Sequence, residues 1–281
     1  MSFSILNNIP ALDAQGYLNT TQSSLSNTLL QLSSGSRINS GADDAAGLAI
    51  ANGLEANITA LNQSANNAND GVGALQVADG ALSQVTTLLN RAVTLATESA
   101  TGTVSSSQRT ALDAEFTQIK NEIDSIGSAT TFNGTSVFTA ATTSIFLSDG
   151  VGTTTIGVAV GTLASTNIAN ADGSSAAVNL SADDLTTAAT AQTALTDING
   201  AIANVAGTRG EIGATVNRLQ ASVNVINTQV QNLTAAEDQI TAANIPQQVS
   251  NLSQYTILEQ TGFAALAQAN TVQQNVLTLL R

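Results

Sequence analysis

The sequence predicts a mainly α protein: long, antiparallel, coiled-coil-like helices assembled from discontinuous N- and C-terminal segments, with a small central β element. Three observations predict it. Apolar residues recur at alternating three- and four-residue spacing through both halves of the chain, the pattern of a helical seam. Hydrophobic residues make up 43% of the 281, yet aromatics are only 3%, so the core is built from Ala, Val, Leu and Ile and suits closely packed helices. Between residues 131 and 184 the helical spacing stops and Thr, Ser and Gly take over.

The elements follow in chain order. Pro10 marks an irregular start. Leu18, Leu25 and Leu32 then recur at heptad spacing, with Leu29 beside them. A break follows, "LSSGSRINSGADDAAGLAI" (Leu32–Ile50), with Gly35 and Gly41 as its flexible points. The next helix is expected near Ala42, with Asp43 and Asp44 in its first turn, where free N–H groups and the helix dipole favour carboxylates. From Leu54 to Ala100 the seam is apolar at twelve of fourteen positions; Asp79 and Thr86 are the exceptions. Gly71, Gly73 and Gly80 weaken this helix, each by about 1 kcal/mol relative to Ala, and are read as points of close approach. Leu112, Phe116, Ile119, Ile123 and Ile126 make a third helix.

In the centre, "TSIFLSDGVGTTTIGVAVG" (Thr143–Gly161) reads as two short strands around an Asp-Gly/Val-Gly turn. The seam resumes from Ile198 to Ile240 with eleven of thirteen positions apolar; the exceptions are Arg209 and Glu237. Pro246 then fits the first turn of a terminal helix whose seam includes Leu252, Phe263, Leu266, Leu277 and Leu280. The expected division is a terminal helical domain (1–42 with 244–281), a helical core domain (43–130 with 185–243) and a small β-rich surface insert (131–184).

Composition excludes several functions. There is no His and no Cys, which removes Cys/His metal sites, thiol nucleophiles and histidine triads. The net charge of −13 with seven basic residues offers no basic face for nucleic acid. The one lysine, Lys120, stands in no glycine-rich phosphate loop. No run approaches a membrane span and no leader is visible at the N-terminus, so no membrane insertion is expected. Residues 1–42 and 244–281 carry only four charges, Asp13, Arg37, Glu259 and Arg281. At about 25% charged residues in an average soluble protein, such ends are hard to keep soluble alone. They either pair with each other or pack against other copies.

Asp43-Asp44 reads as a helix start rather than as a paired-carboxylate or cation site, since no His, third ligand or EF-hand spacing accompanies it. Arg37, with Asn39 and Ser40, is expected in an interface, Arg37 meeting a carboxylate of a neighbouring subunit or domain; a free surface Arg is the alternative. No catalytic, cofactor or metal residue is assigned.

"LSSGSRINSGADDAAGLAIA" resembles the N-terminal signature of bacterial flagellin, and "FAALAQANTVQQNVLTLLR" (Phe263–Arg281) resembles the flagellin C-terminus. "NANDGVGALQVADGAL" (Asn67–Leu82) and "TTFNGTSVF" (Thr130–Phe138) are similar too. The resemblance covers about residues 1–138 and 190–281. It departs at Gln31, where a basic residue is usual, at Gly41, and at "ITAANIPQQ" (Ile240–Gln248).

The resemblance implies a structural subunit, not an enzyme. Such a subunit is exported unfolded through the flagellar type III apparatus and self-assembles outside the cell into a helical filament for swimming. It implies terminal helices in an inner tube, longer helices in an outer tube, and partners that include other copies, hook-associated and cap proteins and an export chaperone. Within "LNRAVTLATESA" (Leu89–Ala100), Arg91 and Leu95, with Glu115, match the pattern gripped by the Toll-like receptor for flagellin; Val93 stands where a second basic residue is frequent. Ordinary filament contacts are the other reading. The Ser/Thr tract from Thr139 to Thr155 reads equally as a site of O-linked glycans or as a plain solvated loop. A hook–filament junction protein shares such ends and stays as the alternative. A secreted enzyme with its activity in the insert is weaker, for want of His, Cys and basic residues there; a host-binding adhesin is a third reading, a role the filament could also take secondarily. The terminal segments are expected to be disordered in the free subunit and to order on docking.

Overall fold

The computed structural model describes residues 8–147, 154–169 and 176–279, with side chains as far as Asn275. Five helices account for most of it: α1 (Ile9–Ser34), α2 (Ala45–Ala100), α3 (Ser106–Ala129), α4 (Ala188–Thr241) and α5 (Ile245–Leu279). Between α3 and α4 lie three small antiparallel pairs: β1 (Thr131–Phe132) with β2 (Thr135–Ser136), β3 (Thr143–Phe146) with β4 (Thr155–Val158), and β5 (Leu163–Ala164) with β6 (Asn167–Ile168). The fold is therefore mainly α with a small β element. The chain divides into two compact units, Met1–Ala56 with Asn232–Arg281, and Asn57–Gln231; α2 and α4 each give residues to both.

In the first unit α1 and α5 run antiparallel. Asn8 Nδ2 donates to the Ala269 carbonyl (3.3 Å) at one end, Leu18 lies against Gly262 in the middle, and the Ala243 amide donates to the Gly35 carbonyl (2.9 Å) at the other. Asn8 caps α1 by accepting the Ala11 amide, and Pro10 sits in the first helical turn, so it starts the helix rather than disturbing it. Gly35, at φ 70°, ends α1 in the left-handed conformation that glycine adopts freely.

In the second unit the seam buries what its spacing predicts: Leu61, Ala68, Leu75, Leu82, Leu89 and Ala96 on α2, and Ile198, Val205, Ile212 and Leu219 on α4. α3 lies antiparallel to α2 and adds Phe116, Ile119 and Ile123. Its N-terminus carries a reciprocal capping box between Ser105 and Gln108. Arg109 reaches back to the carbonyls of Ser99 and Thr101 (both 2.8 Å), satisfying the last turn of α2.

The β pairs sit on this helical layer through short contacts. A Cβ on Gly71 would overlap Ile145 of β3, and one on Gly127 would overlap the Leu163 carbonyl of β5. Gly73 lies against Phe132. Gly80, also read as a point of close approach, has open space where its Cβ would be, so packing gives no reason for it. Asn133 and Gly134, both at positive φ, form the two-residue turn between β1 and β2 that matches strand twist. The two strands expected within Thr143–Gly161 are β3 and β4, in register Ile145 to Ile156. The Asp-Gly/Val-Gly turn expected between them lies outside the described residues. Asn204 of α4 is buried and satisfied by the carbonyls of Ile168 (2.9 Å) and Ala176 (3.1 Å).

Candidate functional site

Two surfaces concern function: the break between α1 and α2, and the outward faces of the terminal helices. The break is closed by its own hydrogen bonds. The Arg37 amide donates to the Thr241 carbonyl (2.6 Å), and Ser36 Oγ donates to the carbonyls of Ile38 (2.8 Å) and Thr241 (3.0 Å). Arg37 Nη2 donates to the Ile240 carbonyl (2.7 Å) at the end of α4. Within the chain Arg37 thus meets a helix C-terminal carbonyl, where unpaired C=O groups favour a cation. Gln31 Nε2 donates to the Arg37 carbonyl (3.1 Å).

Asn39 and Ser40 are exposed and hydrogen-bonded within the turn. Asp43 Oδ2 accepts from the amides of Asn39 (3.1 Å) and Ser40 (2.9 Å) and from Ser40 Oγ (3.1 Å). These donors, the Asn39 amide first, hold the Asp43 carboxyl below its ordinary value. Asn39 Nδ2 donates to the Ser36 carbonyl (3.0 Å). The helix expected near Ala42 begins at Ala45, with Asp44 as its cap, accepting the Gly47 amide (2.8 Å). The two aspartates thus precede the first turn: Asp44 caps it from outside, while Asp43 accepts amides of the preceding segment. Ile38, buried, pins the segment, and Gly47 leaves room for it. Gly41 has no positive φ and no close neighbour, so only Gly35 of the two expected flexible points needs to be glycine.

The terminal helices bury less than their leucines suggest. Leu18 is buried, Leu25, Leu32, Leu252 and Leu266 are half-buried, and Thr28 rather than Leu29 completes the stripe on α1. Phe263, expected in the packing, is 52% exposed. The α5 positions that are half-covered include Thr256, Glu259, Gly262, Leu266, Ala269 and Gln273, which are mostly small or polar. Ile257, Leu258 and Phe263 point elsewhere and stay exposed. Leu277 lies beyond the described side chains, and Leu280 outside the described residues. Among the described residues, twelve of the fifteen large exposed apolar ones fall in the first unit, from Ile9 and Leu12 to Val272.

Arg91 and Glu115 form a two-bond ion pair (2.7 and 3.0 Å) between α2 and α3. The Arg91 hydrogen bond keeps the Glu115 carboxyl below its ordinary value. Leu95 is 1% exposed and so belongs to the core instead of a contact surface. Pairing was not legible for two of the charges that interrupt the seams: Asp79 and Arg209 meet at 2.7 Å. Their status as exceptions at complementary positions of opposite sign was the available signal. Among the described residues no group of three acidic side chains is placed to hold a metal, and no helix is long and apolar enough to cross a membrane.

The chain matches the family models for the bacterial flagellin N-terminal helical region over residues 5–143 and C-terminal helical region over residues 195–280. It is 41% identical over 134 residues to Flagellin A of Vibrio anguillarum, a match covering 48% of this chain and 35% of the relative. It is 46% identical over 127 residues to a flagellin of Salmonella muenchen, covering 45% and 25%. The match to each relative thus spans about a third or less of its length. The crystal structure of Bacillus cereus flagellin aligns at TM-score 0.46 and 31% identity, covering 61% of this chain and 94% of that one. With N- and C-terminal models matching at the ends that the sequence motifs mark, the chain belongs to the bacterial flagellin family.

Proposed function

We propose that the protein is a structural subunit that self-assembles into the extracellular helical filament of the bacterial flagellum, serving motility and not catalysis. The single observation that carries this reading is the concentration of exposed apolar side chains on the unit formed by the chain ends. Isolated exposed apolar residues are ordinary, but twelve on one helical unit, among the described residues, mark an interaction surface. In the filament, residues 1–42 with 244–281 form the inner tube, residues 43–130 with 185–243 the outer one, and 131–184 face solvent. Flagellar type III export delivers the chain unfolded; cap and hook-associated proteins and an export chaperone are its further partners.

The α1–α5 pairing is weak by itself, because its contact stripe on α5 is largely small and polar. Docking on a filament end buries Tyr17, Ile257 and Phe263, and that burial offsets the entropy of ordering the segments. Electron microscopy of the purified, polymerised protein tests the function: a helical tube is expected, and failure to polymerise under seeding by preformed filament ends would overturn it. Limited proteolysis tests the ordering step. Tails cleaved in the monomer and protected in the filament are expected; equal resistance in both removes it.

A further inference from the structure

We propose that the Asp79–Arg209 pair sets the register in which α2 and α4 pair within the second unit. The nearest apolar seam positions on either side are alike. Leu75 and Leu82 on α2, and Val205 and Ile212 on α4, are each no more than 3% exposed. Large aliphatic residues at heptad spacing do not distinguish one level from the next, so an apolar seam alone permits slippage by a whole repeat.

The two charges do distinguish levels. Arg209 Nε and Nη2 reach Asp79 Oδ1 (2.7 Å) and Oδ2 (3.3 Å), a paired geometry that strongly fixes direction as well as distance. Because the helices run antiparallel, slippage by one heptad would bring Asp79 level with Val216 or Ile202, and Arg209 level with Thr86 or Val72. Either slip leaves both charges unpaired beside the seam. The pair is 38% (Arg209) and 41% (Asp79) exposed, so water and salt screen it and its contribution to raw stability is modest. Its effect lies in the difference between registers, as for a polar residue in a coiled-coil core.

The competing account is that the surroundings suffice. Ser99 Oγ donates to the Leu185 carbonyl (2.6 Å), and Lys120 Nζ to the Asp183 carbonyl (2.7 Å); both tie the chain entering α4 to α2 and α3. Spin-label distances separate the accounts. The chain has no cysteine, so Gln76→Cys with Gln192→Cys labels one exposed site on each helix. These sites lie about 30 Å apart along the axis, and a heptad slip changes that offset by about 10 Å at 1.5 Å per residue.

With the native pair, one distance is expected. In the folded double variant Asp79→Leu with Arg209→Leu, a second population displaced by about 10 Å is expected. A single native distance there would overturn the proposal. The exchanged pair, Asp79→Arg with Arg209→Asp, is expected to keep one distance and to recover the melting temperature lost in Arg209→Asp alone. No recovery would equally overturn it.

Discussion

The two units use the same spacing to opposite ends. In the second unit, the three- and four-residue pattern is consumed inside the chain: Leu75, Leu89, Ile123, Ile198 and Leu219 are all essentially inaccessible. In the first unit, Leu18, Ile38 and Ala51 are the buried apolar residues among those described, while Tyr17, Leu30, Ile257 and Phe263 stay outside. A period in the sequence therefore says that a face exists, not which molecule will cover it. Charge differs too: among the described residues both ion pairs lie in the second unit, whereas residues 1–42 and 244–281 carry four charges in all.

The comparison breaks most visibly at Phe263. Its side chain is exposed in the single chain, so Phe263→Asp is expected to abolish polymerisation, read by sedimentation, and to leave the melting of the second unit unchanged. Undiminished polymer would mean that the exposed face is not the assembly face. Phe116→Ala tests the other unit. Emptying this fully buried site is expected to cost about 3–5 kcal/mol in urea unfolding, and assembly would weaken only as far as folding does.

Gly127→Ala comes next, at about 1–3 kcal/mol. The added methyl meets the Leu163 carbonyl, and backbone cannot swing aside as a side chain can. A neutral result would show that β5 is not held against α3 in solution.

Asp183→Asn has the opposite sign. Burial first, and then the negative charge of Asp197, raise the Asp183 carboxyl above 3.8, and its buried Oδ2 lacks a hydrogen-bond partner. The folded state therefore binds a proton more readily than the unfolded one. The penalty is fully present above the folded pKa and fades as pH falls through it towards 3.8. Asp183→Asn should raise the melting temperature at neutral pH, with the gain shrinking on acidification; a gain independent of pH would point to another cause. Asp43, Glu115 and Asp184 work the other way, since hydrogen bonds hold all three low. Their stabilisation is present above the ordinary carboxyl range and lost as pH falls through their folded values.

The smallest effect is expected from Arg91→Ala. Its pair with Glu115 is solvent-exposed, so melting should hardly move. A weakened response of the Toll-like receptor for flagellin to the monomer would sustain the receptor reading, and an unchanged response would remove it.

Periodicity determined much of this protein unaided. Helix type and approximate extent, the β interruption and the positions of β3 and β4 follow from local spacing, because each element is a stretch that its own sequence defines. The family, too, was legible in the terminal motifs. Tertiary structure decided the partners. Arg37 takes a carbonyl of α4, a choice no spacing encodes, because the acceptor lies about 200 residues away and has no side chain. Asp79 and Arg209, each a defect in its own helix, become a pair only when the helices meet. Leu95 sinks into the core, and Phe263 stays out because the face of α5 turned towards α1 is mostly small and polar. Local sequence sets which faces are apolar; only packing selects which of them the chain covers itself.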